Sequence, residues 1–542
     1  MKASRAIDDT VYALGIDFGT QSVRMVIVDV YDPKVIYTSA FEYDTFLAHY
    51  GTRGGVLPTK RPEIRHTSPF MLIEAVDMAF RRLQEDGVDV SHLRVIKIDA
   101  MQHCTVYTDK SFVERVMAFD PGRALLPQIE PSITRETCPI WEDRAPVKEA
   151  AYLMNALEEH SSMNVLTGNR VELRFPASQI LMWASQSPDK YSQTAHIFLL
   201  SAFLTSIIAG KSAPVDTGDG WGTNLNTLDI HNPGWNDIVL KVADAYLHNH
   251  GTAFSLHDKL GEMAHYDTLL GTVSHYFVER YGVNSEAIVL VGTGDNPATL
   301  LGCGGNTVIS LGSSYTVNGE MQEIIPSSTG EYNIFGYIPG RAMALTVFTN
   351  GAKVHEFFLE KYIAMKGHES AAKKDWELYE YAAGESIISD NEKLMLPYLL
   401  DESVPQRSRG IVRDGFNDRD VEADIRALHI SQALSLRLHS NHLNYAGALC
   451  VVGGGSKNRF LKQMIADVFD ASVYTIRHAD FAAAFGCAIS GAKTLLHISY
   501  EEAASRFIQV DRASLMDPIP GNQTAIQALL CKYAALEKST DI

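Results

Sequence analysis

The chain has 542 residues, of which 46% are hydrophobic and 21% charged, and its formal net charge is −18 at pH 7. That length predicts more than one domain, most simply two large ones. The negative net charge argues against nucleic acid as the partner. No apolar run reaches the length of about 18 residues that a membrane-spanning helix needs. Because the first dozen residues lack the apolar stretch of a secretory signal, we expect a cytoplasmic α/β protein with reduced cysteines.

The first predicted element is a β-hairpin over residues 12–29, YALGIDFGTQSVRMVIVD. Asp17 lies at the end of its first strand, and the tip that follows consists of Gly19, Thr20, Gln21 and Ser22. Hydroxyls and bare backbone N–H groups at such a tip can hold a metal-bound polyphosphate without a P-loop. An ordinary hairpin with a glycine turn explains this segment equally well when it is taken alone.

Alternating strands and helices follow the hairpin. Hydrophobic periodicity predicts a third strand ending near residue 41, a helix at 70–86, a strand at 95–100, helices at 146–159, 178–187 and 195–209, and a buried strand at 285–291. The last of these strands runs directly into Gly292, Thr293, Gly294 and Asp295.

The second half of the chain repeats the opening pattern. Residues 307–321 again read as strand, small-residue tip and strand, about 290 positions after the first copy, and this second tip consists of Gly312, Ser313 and Ser314. A repeat of this kind predicts a duplicated domain with a cleft between the copies and a boundary near residue 303. The two tips would then form a double phosphate clamp.

A third glycine cluster, Gly453–Gly454–Gly455, lies between a predicted strand at 448–452 and a helix at 459–469. Three glycines at such a junction allow a flat group, such as a nucleotide base or ribose, to approach the backbone closely. The alternative is a tight left-handed connection that needs one glycine. Neither the Walker pattern nor a GxGxxG turn occurs in the chain.

Asp295 is the predicted catalytic residue. It follows a strand, lies in a glycine-rich turn and precedes a helix, which would place its carboxylate at the floor of the cleft. A carboxylate there can accept the proton of a substrate hydroxyl during phosphoryl transfer from ATP. The competing interpretation makes Asp295 the N-cap of the helix that starts at 296.

Together these motifs resemble the FGGY family of carbohydrate kinases, and within it most closely the xylulose kinases of animals. The resemblance covers about residues 12–497. The stretches that carry it are GIDFGTQSVR, AMQHCTVY, CPIWEDR, TGNRVELRF, DTGDGWGTNL, GTGDNPATLLG, NTVISLGSSYTV, FTNGAKVHEFF and VVGGGSKNRFLKQMIADVFDASVY.

The resemblance implies an α/β fold of two duplicated ribonuclease H-like domains, as in the actin, hexokinase and chaperone ATPase superfamily, here 1–302 and 303–542 with an interdomain cleft. It implies ATP as phosphoryl donor with Mg²⁺, Asp17 at the metal and phosphate end, and Asp295 as general base. The sugar contacts implied are Gln102, His103, Arg174, Asp295 and Asn296, with Asp143 beside them. The adenosine contacts implied are Gly454, Gly455 and Asn458.

The expected reaction is phosphorylation of a ketopentose, D-xylulose, at its terminal hydroxyl. A kinase for ribulose, fuculose or erythritol remains an alternative, because Cys104 stands where the family often has glycine after the histidine of the sugar motif. A noncatalytic actin-like module that binds nucleotide or sugar is the alternative of another class. A homodimer is a family-level expectation, and no nucleic-acid or membrane partner is expected.

Overall fold

The computed structural model describes residues 10–539 apart from 253–254, 306, 368–372, 444 and 446, and two seven-stranded sheets organise the residues described. The strands of the first sheet are β1 (Tyr12–Phe18), β2 (Ser22–Asp29), β3 (Lys34–Glu42), β4 (Leu93–Ala100), β5 (Leu269–Thr272), β6 (Ile288–Leu290) and β7 (Thr293–Gly294). The strands of the second are β8 (Val308–Leu311), β9 (Tyr315–Glu320), β10 (Tyr332–Gly336), β11 (Ala342–Phe348), β12 (Ala448–Val452), β13 (Ser472–Ile476) and β14 (Val510–Met516).

Helices connect and cover these strands. The α-helices up to residue 302 are Tyr43–Phe46, Pro69–Glu85, Ser111–Met117, Leu126–Ile129, Val147–Leu157, Met163–Thr167, Pro176–Gln186, Pro188–Gln193, Leu200–Ala209, Thr217–Gly220, Asp237–Asn249, His275–Tyr281 and Asp295–Gly302. Those that follow are Ala352–Met365, Lys373–Ala382, Val421–Leu438, Arg459–Phe469, Ala482–Leu496, Tyr500–Phe507 and Gln523–Ser539. Two-stranded pairs join His66–Thr67 to Cys138–Pro139, Thr105–Thr108 to His196–Leu199, Val215–Asp216 to Met263–Ala264, and Leu394–Tyr398 to Gly410–Asp414.

The two sheets share one pairing pattern. In the first, β1 pairs antiparallel with β2 and parallel with β4, and in the second β8 pairs antiparallel with β9 and parallel with β12. Each sheet continues through further antiparallel strands on one side and a second parallel strand on the other. The chain therefore has the duplicated α/β architecture that its sequence predicts.

The central strands are apolar because both of their faces are covered. All residues of β1 except Tyr12 are buried, as expected for a central strand with helices on both sides. The helix Ala482–Leu496 packs so closely on β1 that a Cβ atom at Gly15 would lie 1.8 Å from the Ala484 carbonyl oxygen. A similar close approach joins this helix to Asp295–Gly302, where a Cβ at Gly302 would lie 1.9 Å from the Ala482 carbonyl oxygen. The helix that begins with Asp295 is thus fixed against both halves.

Most predicted elements are confirmed, including the opening meander, both hairpins and the strand before Asp295. The predicted helix over 195–209 is wrong at its start. Residues His196–Leu199 form a strand that pairs antiparallel with Thr105–Thr108, and the helix begins only at Leu200. Because this four-residue strand is short and mostly buried, its apolar pattern merged with that of the helix.

All six cysteines are free, and Cys531 alone of them is exposed. Among the residues described, no single helix is long and apolar enough to cross a membrane. The helices Ala479–Leu496 and Tyr500–Phe507 satisfy that test only as a pair bent by 118°.

Candidate active site

Three carboxylates meet at the ends of neighbouring strands in the first sheet. Asp17 of β1 and Asp99 of the parallel strand β4 are direct cross-strand partners, and Asp295 follows β7, which also pairs with β4. Burial, assisted by the negative charge of Asp17, raises the pKa of Asp295 to about 7. Burial also raises the pKa of Asp17, although the Arg24 guanidinium, 3.3 Å from Asp17 Oδ2, acts in the opposite direction. Asp99 is not among the predicted site residues, because its only signal in the sequence is a carboxylate inside an apolar strand.

The N-cap interpretation of Asp295 is wrong. The N-cap is Gly294, and Asp295 is the first residue of the helix. The Asn296 side-chain amide instead donates to Asp295 Oδ1 at 3.0 Å and to Gln102 Oε1 at 2.8 Å. The carboxylate is therefore oriented by a neighbour and not used to close the helix.

Gln102 lies behind this pair and is almost wholly buried. Its Nε2 donates to the Gly218 carbonyl oxygen at 2.8 Å, and its Oε1 accepts from Asn296. A Cβ at Gly294 would lie 2.5 Å from the Gln102 side chain, so the glycine makes room for it. The structure thus places Gln102 as a support for Asn296, and direct contact with a sugar stays a prediction.

His103 has a left-handed backbone, with φ of 69°, which is uncommon for a residue with a side chain. Its Nδ1 lies 2.8 Å from the Gly222 carbonyl oxygen, and its ring stacks on Phe175 with centroids 4.3 Å apart. Because a carbonyl only accepts, Nδ1 carries the proton and Nε2 keeps a lone pair. Burial and the nearby Arg174 charge lower the pKa of His103 to about 3, so the ring is neutral at physiological pH.

Arg174 lies at the junction of the two halves. Its Nη2 donates to Asn333 Oδ1 at 3.0 Å, and its guanidinium lies 5.5 Å from the Phe175 ring centroid. The side chain is 29% exposed and borders a cleft of about 1340 Å³. Because the cleft is also lined by Trp141 of the first half and Ser314 of the second, Arg174 faces a space shared by both.

The structure does not support Asp143 as a sugar contact. It borders the cleft, but its carboxylate is 0% exposed and every partner is internal. The carboxylate accepts from the backbone N–H groups of Arg65 and Ala145 and from Gln179 Nε2, and it lies 3.3 Å from His66 Nε2. Burial raises the pKa of Asp143, but these hydrogen bonds, led by that of His66, outweigh it and lower the pKa. Asp143 therefore holds the 140–145 loop in place.

Cys104 does not line the cleft. Its side chain is wholly buried in the hydrophobic core of the first half, together with Cys138. The substitution that the sequence singled out as a possible obstacle to the sugar is thus absorbed by core packing.

The first hairpin tip is held from several sides. The Gly19 N–H donates to the Ser22 carbonyl oxygen at 3.1 Å, Tyr43 Oη donates to the Gly19 carbonyl oxygen, and Trp141 Nε1 donates to Thr20 Oγ1 at 3.0 Å. Ser22 is buried as the first residue of β2, while Gln21 is exposed. The tip is a fixed loop with accessible backbone at Gly19 and Thr20.

The second tip is supported by a loop that the sequence analysis did not single out. Ser313 and Ser314 are exposed and line the cleft, and the Ala352 N–H donates to the Gly312 carbonyl oxygen at 3.0 Å. The buried Glu402 carboxylate accepts from the N–H groups of Thr349 and Asn350, at 2.6 Å and 3.1 Å, and so fixes the turn that leads into Ala352. Nothing local in the sequence pointed to this role of Glu402, because Thr349 and Asn350 lie more than 50 residues away from it.

In the glycine cluster at 453–455, two glycines are required by the protein's own backbone and packing, and one faces open space. Gly453 has φ of 84°, and a Cβ at Gly455 would lie 2.7 Å from Leu311 Cβ, so contacts within the protein account for both glycines. Gly454 is exposed, and no protein atom lies within 4 Å of a Cβ built on it. Asn458 caps the helix Arg459–Phe469 through its Oδ1 and donates to His429 Nε2 at 2.9 Å. Gly454 is therefore the member of the cluster that is open to a ligand.

The chain is similar to known proteins in its second half and along its whole length. Residues 307–495 match the C-terminal domain of the FGGY family of carbohydrate kinases. The chain is 29% identical to mouse xylulose kinase, with 97% of this chain and 94% of the mouse protein covered, and 27% identical to Arabidopsis thaliana xylulose kinase 2, with 88% and 86% covered.

The chain therefore carries the C-terminal domain of the FGGY family of carbohydrate kinases over residues 307–495, and it is similar to xylulose kinases along nearly its whole length.

Solved structures show that the fold of this chain is shared along its whole length. Xylulose kinase from Rhodospirillum rubrum superposes with a TM-score of 0.79 at 15% identity, covering 97% of this chain and 98% of the bacterial one. Glycerol kinase from Plasmodium falciparum, solved with ADP, gives a TM-score of 0.72 at 13% identity, with 98% of both chains covered. Since identity is this low, these neighbours establish the two-domain ribonuclease H-like fold and do not discriminate between sugars.

Proposed function

We propose that this chain transfers the γ-phosphoryl group of ATP to the terminal hydroxyl of D-xylulose, giving D-xylulose 5-phosphate and ADP. The observation that carries the proposal is the setting of Asp295, a carboxylate with a pKa of about 7, oriented by Asn296, whose amide also binds Gln102, the residue before His103. The resemblance of the chain to animal and plant xylulose kinases supports D-xylulose as the sugar.

Asp295 acts as the general base. A base with a pKa near the working pH is present in its carboxylate form and still binds a proton well, which is the best compromise for proton abstraction. The Asn296 amide at Asp295 Oδ1 fixes the direction of the carboxylate. Asp295 therefore removes the proton of the sugar hydroxyl as that oxygen attacks the terminal phosphorus.

The sugar pocket supplies hydrogen bonds of both kinds. Neutral His103 offers Nε2 as an acceptor and Arg174 offers N–H donors, and a polyol needs both. Both N–H groups of the Asn296 amide already donate to Asp295 and Gln102, so its Oδ1 is the atom left for the sugar, as an acceptor. Phe175, wholly buried and stacked on His103, holds the plane of the imidazole. A ketose that lacks one hydroxyl would leave a buried polar group unpaired, which is the basis of discrimination.

The two tips bind the phosphates. The Gly19 N–H is used within its own tip, so the backbone N–H and hydroxyl of Thr20 on one side, and the exposed hydroxyls of Ser313 and Ser314 on the other, are the groups that suit phosphate oxygens. Gly454 leaves room for adenosine to approach the backbone. The nucleotide would then cross the cleft from the second half towards Asp295.

Mg²⁺ fits this site as a metal carried by the nucleotide. Within the described part of the chain, no group of three or more His, Cys, Asp or Glu side chains could hold a metal ion. Mg²⁺ commonly takes one or two carboxylates together with substrate phosphates, so Asp17, next to Asp99, is a sufficient protein ligand. When bound, the ion neutralises charge on the transferring phosphoryl group.

The boundary between 1–302 and 303–542 is likewise a proposal, supported by the division of the strands between the two sheets. The homodimer and the cytoplasmic location stay predictions.

The experiment is a substrate panel in an assay that measures ADP release. D-xylulose, ribulose, fuculose, erythritol and gluconate are compared at equal concentration, and the phosphorylated position is read by ³¹P and ¹³C NMR. We expect D-xylulose to give the highest kcat/KM and the 5-phosphate as product. Faster phosphorylation of another sugar would replace D-xylulose as the substrate, and ADP release independent of sugar would favour an actin-like ATPase module without sugar chemistry.

A further inference from the structure

Asn333 belongs to β10, at the edge of the second sheet, yet its side chain points into the junction with the first half. Its Oδ1 accepts a 3.0 Å hydrogen bond from Nη2 of Arg174, which lies 159 positions earlier in the chain. We propose that Asn333 is a positioning residue of the sugar pocket, which holds the Arg174 guanidinium in place from the other half of the molecule. This inference rests on the proposed role of Arg174 in binding the sugar.

The orientation of the Asn333 amide is fixed by a second asparagine. Asn169 is buried, and it pairs with the backbone of Ile334 in both directions: its Oδ1 accepts from the Ile334 N–H at 2.8 Å, and its Nδ2 donates to the Ile334 carbonyl oxygen at 2.9 Å. Asn169 Oδ1 is therefore an acceptor facing β10, and Asn333 Nδ2 donates to it at 3.2 Å. The Asn333 oxygen is left to face Arg174, because a flipped amide would put oxygen against oxygen and nitrogen against guanidinium.

The other contacts of the guanidinium are looser. The nearest carboxylate oxygen of Glu172 lies 3.8 Å from Arg174 Nη1, and the Phe175 ring centroid is 5.5 Å away. A long side chain that is 29% exposed keeps many rotamers unless a short directional bond selects one. The bond to Asn333 selects the rotamer that brings positive charge close to His103, where that charge helps to lower the pKa of the imidazole.

The consequence is that the sugar pocket is not built from the first half alone. Asn333 reaches Arg174 only while β10 stays docked on Asn169, so the geometry of the pocket depends on how the two halves meet. Binding of sugar and the arrangement of the halves are coupled through this one amide.

The test is a double-mutant cycle with Asn333→Ala and Arg174→Met, measured as KM for D-xylulose and for ATP separately. Loss of a hydrogen bond to a charged group predicts a rise of about tenfold in KM for the sugar in Asn333→Ala, with KM for ATP within about twofold of wild type. Arg174→Met should raise the sugar KM at least as much. In the double variant, Asn333→Ala should add nothing to Arg174→Met, because Asn333 acts through Arg174.

Two further variants separate positioning from folding. Asn318→Ala removes another buried asparagine, on β9 of the same sheet, and should leave both KM values near wild type. Asn333→Asp keeps the acceptor for Arg174 but places a carboxylate oxygen against Asn169 Oδ1, so its sugar KM should fall between those of Asn333→Ala and wild type. Thermal unfolding of each variant identifies any that has lost its fold.

An additive effect in the double variant, an equal rise in both KM values, or an Asn333→Asp variant as impaired as Asn333→Ala would overturn the inference. An Arg174→Met variant with an unchanged sugar KM would instead overturn the proposed sugar role of Arg174, and this inference with it. The single Arg174 variant therefore distinguishes failure of the proposed function from failure of the positioning role.

Discussion

The side-chain amide of Asn296 donates a 3.0 Å hydrogen bond to Oδ1 of Asp295, its neighbour at the first turn of a helix. The same amide is tied to Gln102, which is tied in turn to the Gly218 carbonyl oxygen. A line of amides thus runs from the protein interior to the carboxylate. It holds the proposed base in one direction before any substrate is bound.

Replacing Asp295 with asparagine should abolish the chemical step and spare nucleotide binding. A positioned general base contributes about 10²–10⁴ in rate, and an amide cannot accept the proton, so kcat should fall by about 10³. The dissociation constant of ATP, measured by calorimetry, should stay within about threefold of wild type because the tips do not change. A variant that keeps more than a few per cent of wild-type turnover would remove Asp295 from the role of base.

The same variant should be more stable than the wild type at pH 8. Burial raises the folded-state pKa of Asp295 to about 7, above the usual value near 3.8, so its charge destabilises the fold. The contribution of Asp295 to the free energy of unfolding is therefore largest below about pH 4, and it is lost as the pH rises from there through 7. Asp295→Asn should therefore gain on the order of 3 kcal/mol in free energy of unfolding at pH 8 and much less at pH 5.

Urea unfolding at pH 5 and pH 8 measures this difference in the free energy of unfolding. Asn318→Ala is the control, because it changes a buried residue and keeps Asp295. An equal change in stability at pH 5 and pH 8 would mean that the Asp295 charge is not strained in the folded protein.

The pH dependence of kcat/KM should show an acidic limb near pH 7 that belongs to Asp295. Activity is lost below that value because the base is protonated. His103 does not produce the limb, since burial and the charge of Arg174 lower its pKa to about 3 and the ring stays neutral over the whole range. The variant His103→Asn should thus have a higher sugar KM but keep the limb at the same pH. Disappearance of the limb in that variant would assign it to the histidine.

Helices, strands and the carboxylates at strand ends could be predicted from the sequence where a local hydrophobic pattern marks them. Asp17 and Asp295 were found because each comes at the end of an apolar strand, within two residues of a glycine. Asp143 was assigned to the sugar pocket for its place in a motif, but its partners Arg65, His66 and Gln179 come from distant segments that no local pattern reveals. Charged groups whose partners are remote in sequence, as Glu402 also is, require the fold to be known.

Gly222→Ala should damage the sugar pocket selectively. A Cβ at Gly222 would lie 2.8 Å from Cε1 and 2.9 Å from Nδ1 of His103, so the ring would have to move off the Gly222 carbonyl oxygen. We expect the sugar KM to rise by about tenfold or more with little change in the KM for ATP, because a displaced contact group loses its hydrogen bond. Gly234→Ala is the matched control, since nothing lies within 4 Å of a Cβ there.

Gly454→Ala and Gly455→Ala should separate ligand approach from protein packing. A Cβ at Gly454 meets open space, so the variant should unfold like the wild type, yet it should raise the KM for ATP because the added methyl group occupies the space left for adenosine. A Cβ at Gly455 lies 2.7 Å from Leu311 Cβ and 3.1 Å from the Leu311 carbonyl oxygen, just before the second tip, so that variant should lose about 1–3 kcal/mol of stability. Thermal unfolding with and without ATP measures both effects. If Gly454→Ala changes neither the KM for ATP nor the stabilisation by ATP, the adenosine does not approach the backbone at this glycine, and the nucleotide must cross the cleft by another route.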